Sequence, residues 1–203
     1  LMMLASIAND FGKDVGRNAR LLRRKILELQ ASFNAVDTCR KPVLAAIQGY
    51  CIGGAIDLIS ACDMRYAAED AQFSIKEIDI GMAADVGTLQ RLPRIIGDGM
   101  LRELAYTGRQ FGAEEARSIG LVNRVVAAAE LETETMKLAT QLANAAPLAL
   151  RGVLDAVVLG GECGIEEGLQ FESAQFALLF ASEDMREGTD AFLAKRKPQF
   201  QNR

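Results

Sequence analysis

Histidine is absent from this 203-residue sequence. Every Ser-His-Asp and Cys-His arrangement is excluded with it, as is any metal centre that needs imidazole. The four cysteines, Cys39, Cys51, Cys62 and Cys163, form no CxxC pair and no metal-ligand spacing. No metal is expected, and the apolar neighbours of these thiols mark them as reduced core residues of an intracellular protein. Basic residues are not in excess: the net charge is −4 and the pI about 5.1, which argues against nucleic acid as the main partner. Apolar runs are broken by Asp57, Asp63 or glycines within about ten residues, short of a bilayer span. The chain carries no internal repeat, no low-complexity segment and no stretch patterned as a targeting peptide. Proton chemistry near neutral pH would therefore fall to carboxylates.

The remaining composition is that of a globular protein, with half the residues hydrophobic and a quarter charged. The length suffices for one sizeable core with an appended helical lobe. Leu21, Leu22, Ile26, Leu29 and Phe33 recur at helical spacing within 14–36, while Arg17, Arg20, Arg24 and Lys25 occupy a solvated face. Pro42 ends that helix. Val43–Ile47 is a short apolar run suited to a strand buried on both sides. A glycine loop from Gly49 to Gly54 follows, then a helix over 55–61 and short strands over 64–68 and 72–74. A helix is expected from about Asp85 to Leu92, a turn over 94–99, helices over 100–106 and 113–118, and a strand over 121–126. Gly120 is placed to close the second of those helices. Helices over 131–144, 147–159, 165–180 and about 183–195 complete the chain. The division that follows is a mixed core over 1–126 and a helical lobe over 127–203.

The loop Gly49-Tyr50-Cys51-Ile52-Gly53-Gly54 fits neither G-x-G-x-x-G nor a P-loop. Its other use is as an oxyanion site, where glycines let backbone N–H groups at a helix start approach an oxygen. Three acids follow it. Asp57 falls in the first turn of the next helix, where the helix dipole alone would favour it. Glu77 lies in Ile75-Lys76-Glu77-Ile78-Asp79-Ile80, whose alternation puts Ile75, Glu77 and Asp79 on one face; a surface pair with a lysine is its plain alternative. Asp85, in Ala83-Ala84-Asp85-Val86-Gly87-Thr88, could simply cap the next helix. Taken together they suggest more, because carboxyl groups among apolar neighbours acquire the raised pKa that a base near pH 7 needs.

Ile47-Gln48-Gly49-Tyr50-Cys51-Ile52-Gly53-Gly54-Ala55-Ile56-Asp57-Leu58, followed by Ala61-Cys62-Asp63-Met64-Arg65, resembles the core signature of the crotonase (enoyl-CoA hydratase/isomerase) superfamily. The likeness continues through Glu77, Gly81, Thr88–Pro93, Thr107-Gly108-Arg109 and Gly120-Leu121-Val122 to Ser182–Gly188 and Lys195–Pro198. It implies an α/β fold, a spiral of β-β-α units with a helical C-terminal trimerisation lobe. Ala55 stands where a third glycine is common. By the same resemblance, family members have further strands before Leu1 and a loop giving a second oxyanion N–H, so N-terminal strands are expected to be missing from 1–126.

Asp85 separates the branches. Hydratases of the superfamily have a glycine there, and a glutamate where Asp57 stands; Asp57, Glu77 and Asp85 together resemble the dienoyl-CoA-isomerising branch. That resemblance implies transfer of a proton along 3,5-dienoyl-CoA to give 2,4-dienoyl-CoA in fatty-acid β-oxidation. Glu77 takes the proton beside the thioester carbonyl, Asp85 delivers one at the far end, and Gly54, with Gly53, supports the dienolate oxygen. The part played by Asp57 is left open. Phe192 and Lys195 match positions that help hold the nucleotide of CoA, a solvated tail being the alternative. No cofactor is implied beyond the CoA that the substrate carries. The alternatives are a 2-enoyl-CoA hydratase, in which Asp57 and Glu77 hold a water, and a non-catalytic acyl-CoA-binding homologue. A homotrimer or homohexamer is expected, since Leu169, Phe171, Phe176, Leu178, Leu179 and Phe180 exceed what one helix face can bury. The expected compartment is the mitochondrial matrix, with the peroxisome second; Gln201-Asn202-Arg203 is not an SKL-type ending.

Overall fold

The first four strands of this chain alternate between two sheets, and that alternation organises the fold. In the computed structural model, which describes residues 11–203, β1 (Leu44–Ile47) and β2 (Tyr50–Ile52) are separated by a turn at Gly49, which has φ of +62°. β1 pairs in parallel with β3 (Met64–Ala68), and β2 pairs in parallel with β4 (Gln72–Ser74). A helix, Gly54–Ser60, connects the two strand pairs. This is one β-β-α unit laid against the next. The first sheet has the order β1-β3-β6, with β6 at Arg124–Val126; the second has the order β2-β4-β5, with β5 (Phe111–Gly112) antiparallel to β4. The expectation about a loop ending before Leu1–Met3 lies outside the described residues.

The chain divides into two compact units: residues up to Cys39 with Val43–Leu131, and Arg40–Pro42 with Glu132–Arg203. The first unit holds nearly all of the buried apolar side chains, among them Ile56, Phe73, Leu92, Leu104 and Leu121. Phe73 and Phe111 stack across β4 and β5 with ring centroids 5.5 Å apart. Each such side chain contributes about 1.5–3 kcal/mol by leaving water. Arg65 is buried in this core, and its guanidinium donates to the carbonyls of Leu121 at 2.6 Å and Cys62 at 2.5 Å. A buried cation is tolerable only when its donors are met in this way. Asn123 completes the clasp, accepting from Arg65 N and donating its own N–H to Arg65 O, each at 2.8 Å. β6 therefore begins at Arg124, three residues later than the run Leu121–Val126 suggests.

Several local expectations need correction. Tyr50–Ile52, read as loop, is a strand, because its backbone pairs with Gln72–Ser74. Glu77–Ile80 is a 3₁₀ turn closed by Gly81 at φ of +73°, so the alternation around Glu77 does not mark two faces. The helix expected from Asp85 begins at Thr88 with Gly87 as its N-cap, and Asp85 caps nothing. Pro93 opens a further helix, Pro93–Ile96, fitting the first helical turn, where its missing N–H is harmless. The segment 98–107 is helical throughout. Cys51 and Cys62 are buried and Cys39 and Cys163 half-buried; all four are free thiols.

From Glu132 the second unit is helical: it takes the helix Leu131–Ala143 from its second residue, then Pro147–Gly160, Ile165–Phe180 and Glu183–Leu193. Ser182 caps the last helix, accepting from Met185 N at 3.1 Å. The buried Asp184 accepts the N–H groups of Gln201 and Asn202 at 2.6 and 2.9 Å, folding the tail back onto that helix. Among the described residues no single helix is long and apolar enough to cross a membrane.

Candidate active site

Gly53 and Gly54 have different duties at the start of the Gly54–Ser60 helix. Gly53 adopts φ of +57°, its N–H donates to Ser74 O at 3.0 Å, and a Cβ there would lie 3.0 Å from Glu77 Oε1. The left-handed conformation and the closeness of the carboxylate both require glycine. Gly54 is exposed, and a Cβ built on it meets nothing within 4 Å. Its N–H belongs to the first turn, where no carbonyl of the helix can accept it. Among the described residues it has no hydrogen-bond partner. Gly54 thus offers an N–H that is free among the described residues, at the positive end of the helix dipole.

Glu77 lies against the loop at Gly53. Its Oε2 is buried and has no hydrogen-bond partner. Burial raises its carboxyl above the ordinary carboxylate range, and the negative charges of Asp57 and Asp85 push the same way, against a partial offset from the backbone of Glu77 and Lys76. The surface pair with lysine does not form: Lys76 Nζ binds Asp79 at 2.6 Å and donates to Gly108 O at 2.9 Å. Among the described residues Glu77 has no cation partner, a state that favours taking up a proton.

Asp57 is 2% exposed and is occupied differently. Its Oδ1 accepts from Thr88 N at 3.0 Å and Thr88 Oγ1 at 2.6 Å. Burial raises its pKa, the two Thr88 bonds pull it back, and Asp85 and Arg91 act in opposite senses. The carboxylate thereby supplies an acceptor to the Thr88–Arg91 helix start, which has no side-chain cap of its own. Asp85 is exposed, and its charge is felt at both other acids.

The structure brings Gly53, Gly54, Asp57, Glu77 and Asp85 together within the first unit. Phe192 and Lys195 belong to the second; Phe192 is 82% exposed, and Lys195 is exposed with φ of +51°. The neighbouring Arg196 is engaged by Glu187, at 2.6 and 2.7 Å. Sequence reasoning missed Thr88 as the partner of Asp57, and also Gln30 and Arg91, which bind the backbone beside Asp85. Polar side chains on an expected helix offer no signal of such long-range bonds. A cleft of about 710 Å³ at Phe11–Arg24 includes none of the three acids. Among the described residues no group of three or more His, Cys, Asp or Glu is placed to hold a metal ion.

A helix start whose first N–H has no partner among the described residues, next to Gly53 and a glutamate with a free carboxyl oxygen, makes a candidate site for acid–base chemistry at a carbonyl compound. The chain belongs to the enoyl-CoA hydratase/isomerase family, whose sequence model matches residues 9–203. It is 44% identical over 203 residues to the peroxisomal Delta(3,5)-Delta(2,4)-dienoyl-CoA isomerase of Arabidopsis thaliana, covering 98% of this chain and 73% of the relative. It is 38% identical over 191 residues to the mitochondrial Delta(3,5)-Delta(2,4)-dienoyl-CoA isomerase of Homo sapiens, covering 93% of this chain but only 58% of that relative. Among solved structures, the enoyl-CoA hydratase of Bacillus anthracis superposes with a TM-score of 0.88 at 34% identity, covering 95% of this chain and 73% of that one. The expected crotonase-type fold is thereby established.

Proposed function

We propose that this protein is a dienoyl-CoA isomerase that converts 3,5-dienoyl-CoA to 2,4-dienoyl-CoA. The observation that carries the reading is the buried, unpartnered Glu77 oxygen at the glycine loop, with Asp85 as a second acid within electrostatic reach. Glu77 removes a proton from C2, next to the thioester carbonyl. The electron pair enters the conjugated system, and the Gly54 N–H stabilises the resulting dienolate oxygen. The double bonds move from C3 and C5 to C2 and C4 as Asp85 delivers a proton at C6. One proton leaves and one arrives, so the product is an isomer of the substrate. Asp57 anchors the Thr88–Arg91 helix, and its charge helps raise the Glu77 pKa. No cofactor enters beyond the CoA carried by the substrate, and Phe192 and Lys195 are proposed to contact its nucleotide end.

Trimers, paired into hexamers, are the proposed assembly. Leu169, Phe176, Leu178 and Phe180 are 58–71% exposed on the Ile165–Phe180 helix, and such a surface favours association. Light scattering at micromolar concentration should find no monomer. The proposed compartment is the mitochondrial matrix, after the name of the human relative; the plant relative's name makes the peroxisome the alternative. The function is tested by assaying the full-length protein with 3,5-dienoyl-CoA and with 2-enoyl-CoA. Faster turnover of the dienoyl substrate supports isomerase; preferential hydration of 2-enoyl-CoA sinks it.

A further inference from the structure

Asp85 has a demanding place in this reaction, yet it sits in the irregular segment between Gly81 and Gly87 with its side chain exposed. Such a segment would ordinarily sample many conformations. Its carbonyls, however, are held from outside. Gln30 Nε2, on the long Val15–Asp37 helix, donates to Asp85 O at 2.6 Å across 55 residues of sequence. Arg91 Nη1 donates to the next carbonyl, Val86 O, at 3.2 Å. The same guanidinium is fixed to the long helix, with Nη2 donating to Asn34 Oδ1 at 2.6 Å and Nε to Asp37 at 3.2 Å. Gly87 makes room for it: at φ of +117° a Cβ would collide with the Arg91 guanidinium. Two successive carbonyls, one on Asp85 and one immediately after it, are thus tied to a single 23-residue helix.

We propose that Gln30 and Arg91 are positioning residues for Asp85, fixing its backbone so that its carboxyl delivers the proton at the far end of the dienolate. The proposal rests on the isomerase reading and deepens it. Neither side chain is needed at C2, where Glu77 and the Gly54 N–H act. A loosened Asp85 should therefore impair the second proton transfer and spare the first. Misplacing a reacting group by about 1 Å can cost roughly 10²-fold in rate, so two hydrogen bonds to the backbone are enough to matter.

The test follows both steps in the full-length protein. Conversion of 3,5-dienoyl-CoA is measured alongside exchange of its C2 hydrogens with D₂O, read by NMR, for wild type, Gln30→Met, Arg91→Lys and Asp85→Asn. Methionine preserves length and helix propensity while removing the donor, and lysine keeps the charge while losing the fork. Gln30→Met and Arg91→Lys should each lower conversion about 10-fold or more, per folded molecule, with C2 exchange within about two-fold of wild type. Asp85→Asn should give the same pattern, more strongly. Should Gln30→Met keep the wild-type ratio of exchange to conversion, or lose both in equal measure, the positioning role is overturned. Near-normal conversion by Asp85→Asn would instead remove the isomerase reading beneath it.

Discussion

Asp57 and Glu77 are both drawn out of water, and their surroundings differ in one respect that sorts their roles. The segment around Asp57 meets its carboxylate with two hydrogen bonds from Thr88. The segment around Glu77 leaves Oε2 with none, and gives the nearby lysine to Asp79 instead. A satisfied buried carboxylate is an anchor, because removing it leaves donors unpaired. Both carboxyls are held above their ordinary pKa by burial, but only Glu77 keeps an oxygen without a partner that can accept a proton. Burial alone therefore does not mark a candidate base; a carboxyl oxygen left without a partner does.

The largest effect expected is on Glu77. Glu77→Gln should lower dienoyl-CoA turnover by at least ~10²-fold while circular dichroism remains that of the wild type. A variant that keeps more than a tenth of the rate would make Glu77 a second anchor and erase the contrast. Next comes the glycine pair. Gly54→Val fills open space, so its melting temperature should stay near wild type while its rate falls about 10-fold or more. Gly53→Ala meets a left-handed φ and the Glu77 carboxylate, so melting temperature and rate should fall together. The reverse outcome, with Gly54→Val melting early but retaining its rate, would make Gly54 a structural glycine.

Asp57 should show the opposite balance. Asp57→Leu leaves the Thr88 N–H and hydroxyl without an acceptor and should destabilise by about 2–4 kcal/mol in urea unfolding. Asp57→Asn keeps an acceptor oxygen and should cost less than half as much. Equal losses would show that the charge, rather than the hydrogen bonds, is what the site requires. The smallest effect is a pH trend. Because the folded state raises the Glu77 pKa, the native protein binds that proton more tightly than the unfolded chain does. The associated stability is present below the unfolded value, about 4.3, and is lost as pH rises through the folded one. Glu77→Gln should therefore gain stability relative to wild type as pH is raised above about 4.3. A flat difference across that range would mean Glu77 is not desolvated.

Much of this was legible in the sequence. The Val15–Asp37 and Ile165–Phe180 helices follow their apolar spacing, and the acids after the glycine loop fall in the same unit of the fold. The failures have physical causes. Ile78 and Ile80 are about half exposed, so the alternation around Glu77 records no buried face and a 3₁₀ turn forms in place of an extended stretch. β2 lies between Gly49 and Gly53, both at positive φ, which disguises three paired residues as loop. The bond from Asp57 to Thr88 spans 31 residues and that from Gln30 to Asp85 spans 55, and neither leaves a local pattern. Sequence showed which acids were present; only the fold distinguished the anchored acid from the free one.

In the proposed reaction Asp85 connects that distinction to the chemistry, because a base at C2 would serve several reactions whereas a second proton donor serves isomerisation. The most direct measurement is the turnover of 3,5-dienoyl-CoA by full-length Asp85→Asn, normalised to folded protein. Turnover should fall at least ~10²-fold with an unchanged melting temperature. A rate within a few-fold of wild type would contradict the isomerase reading.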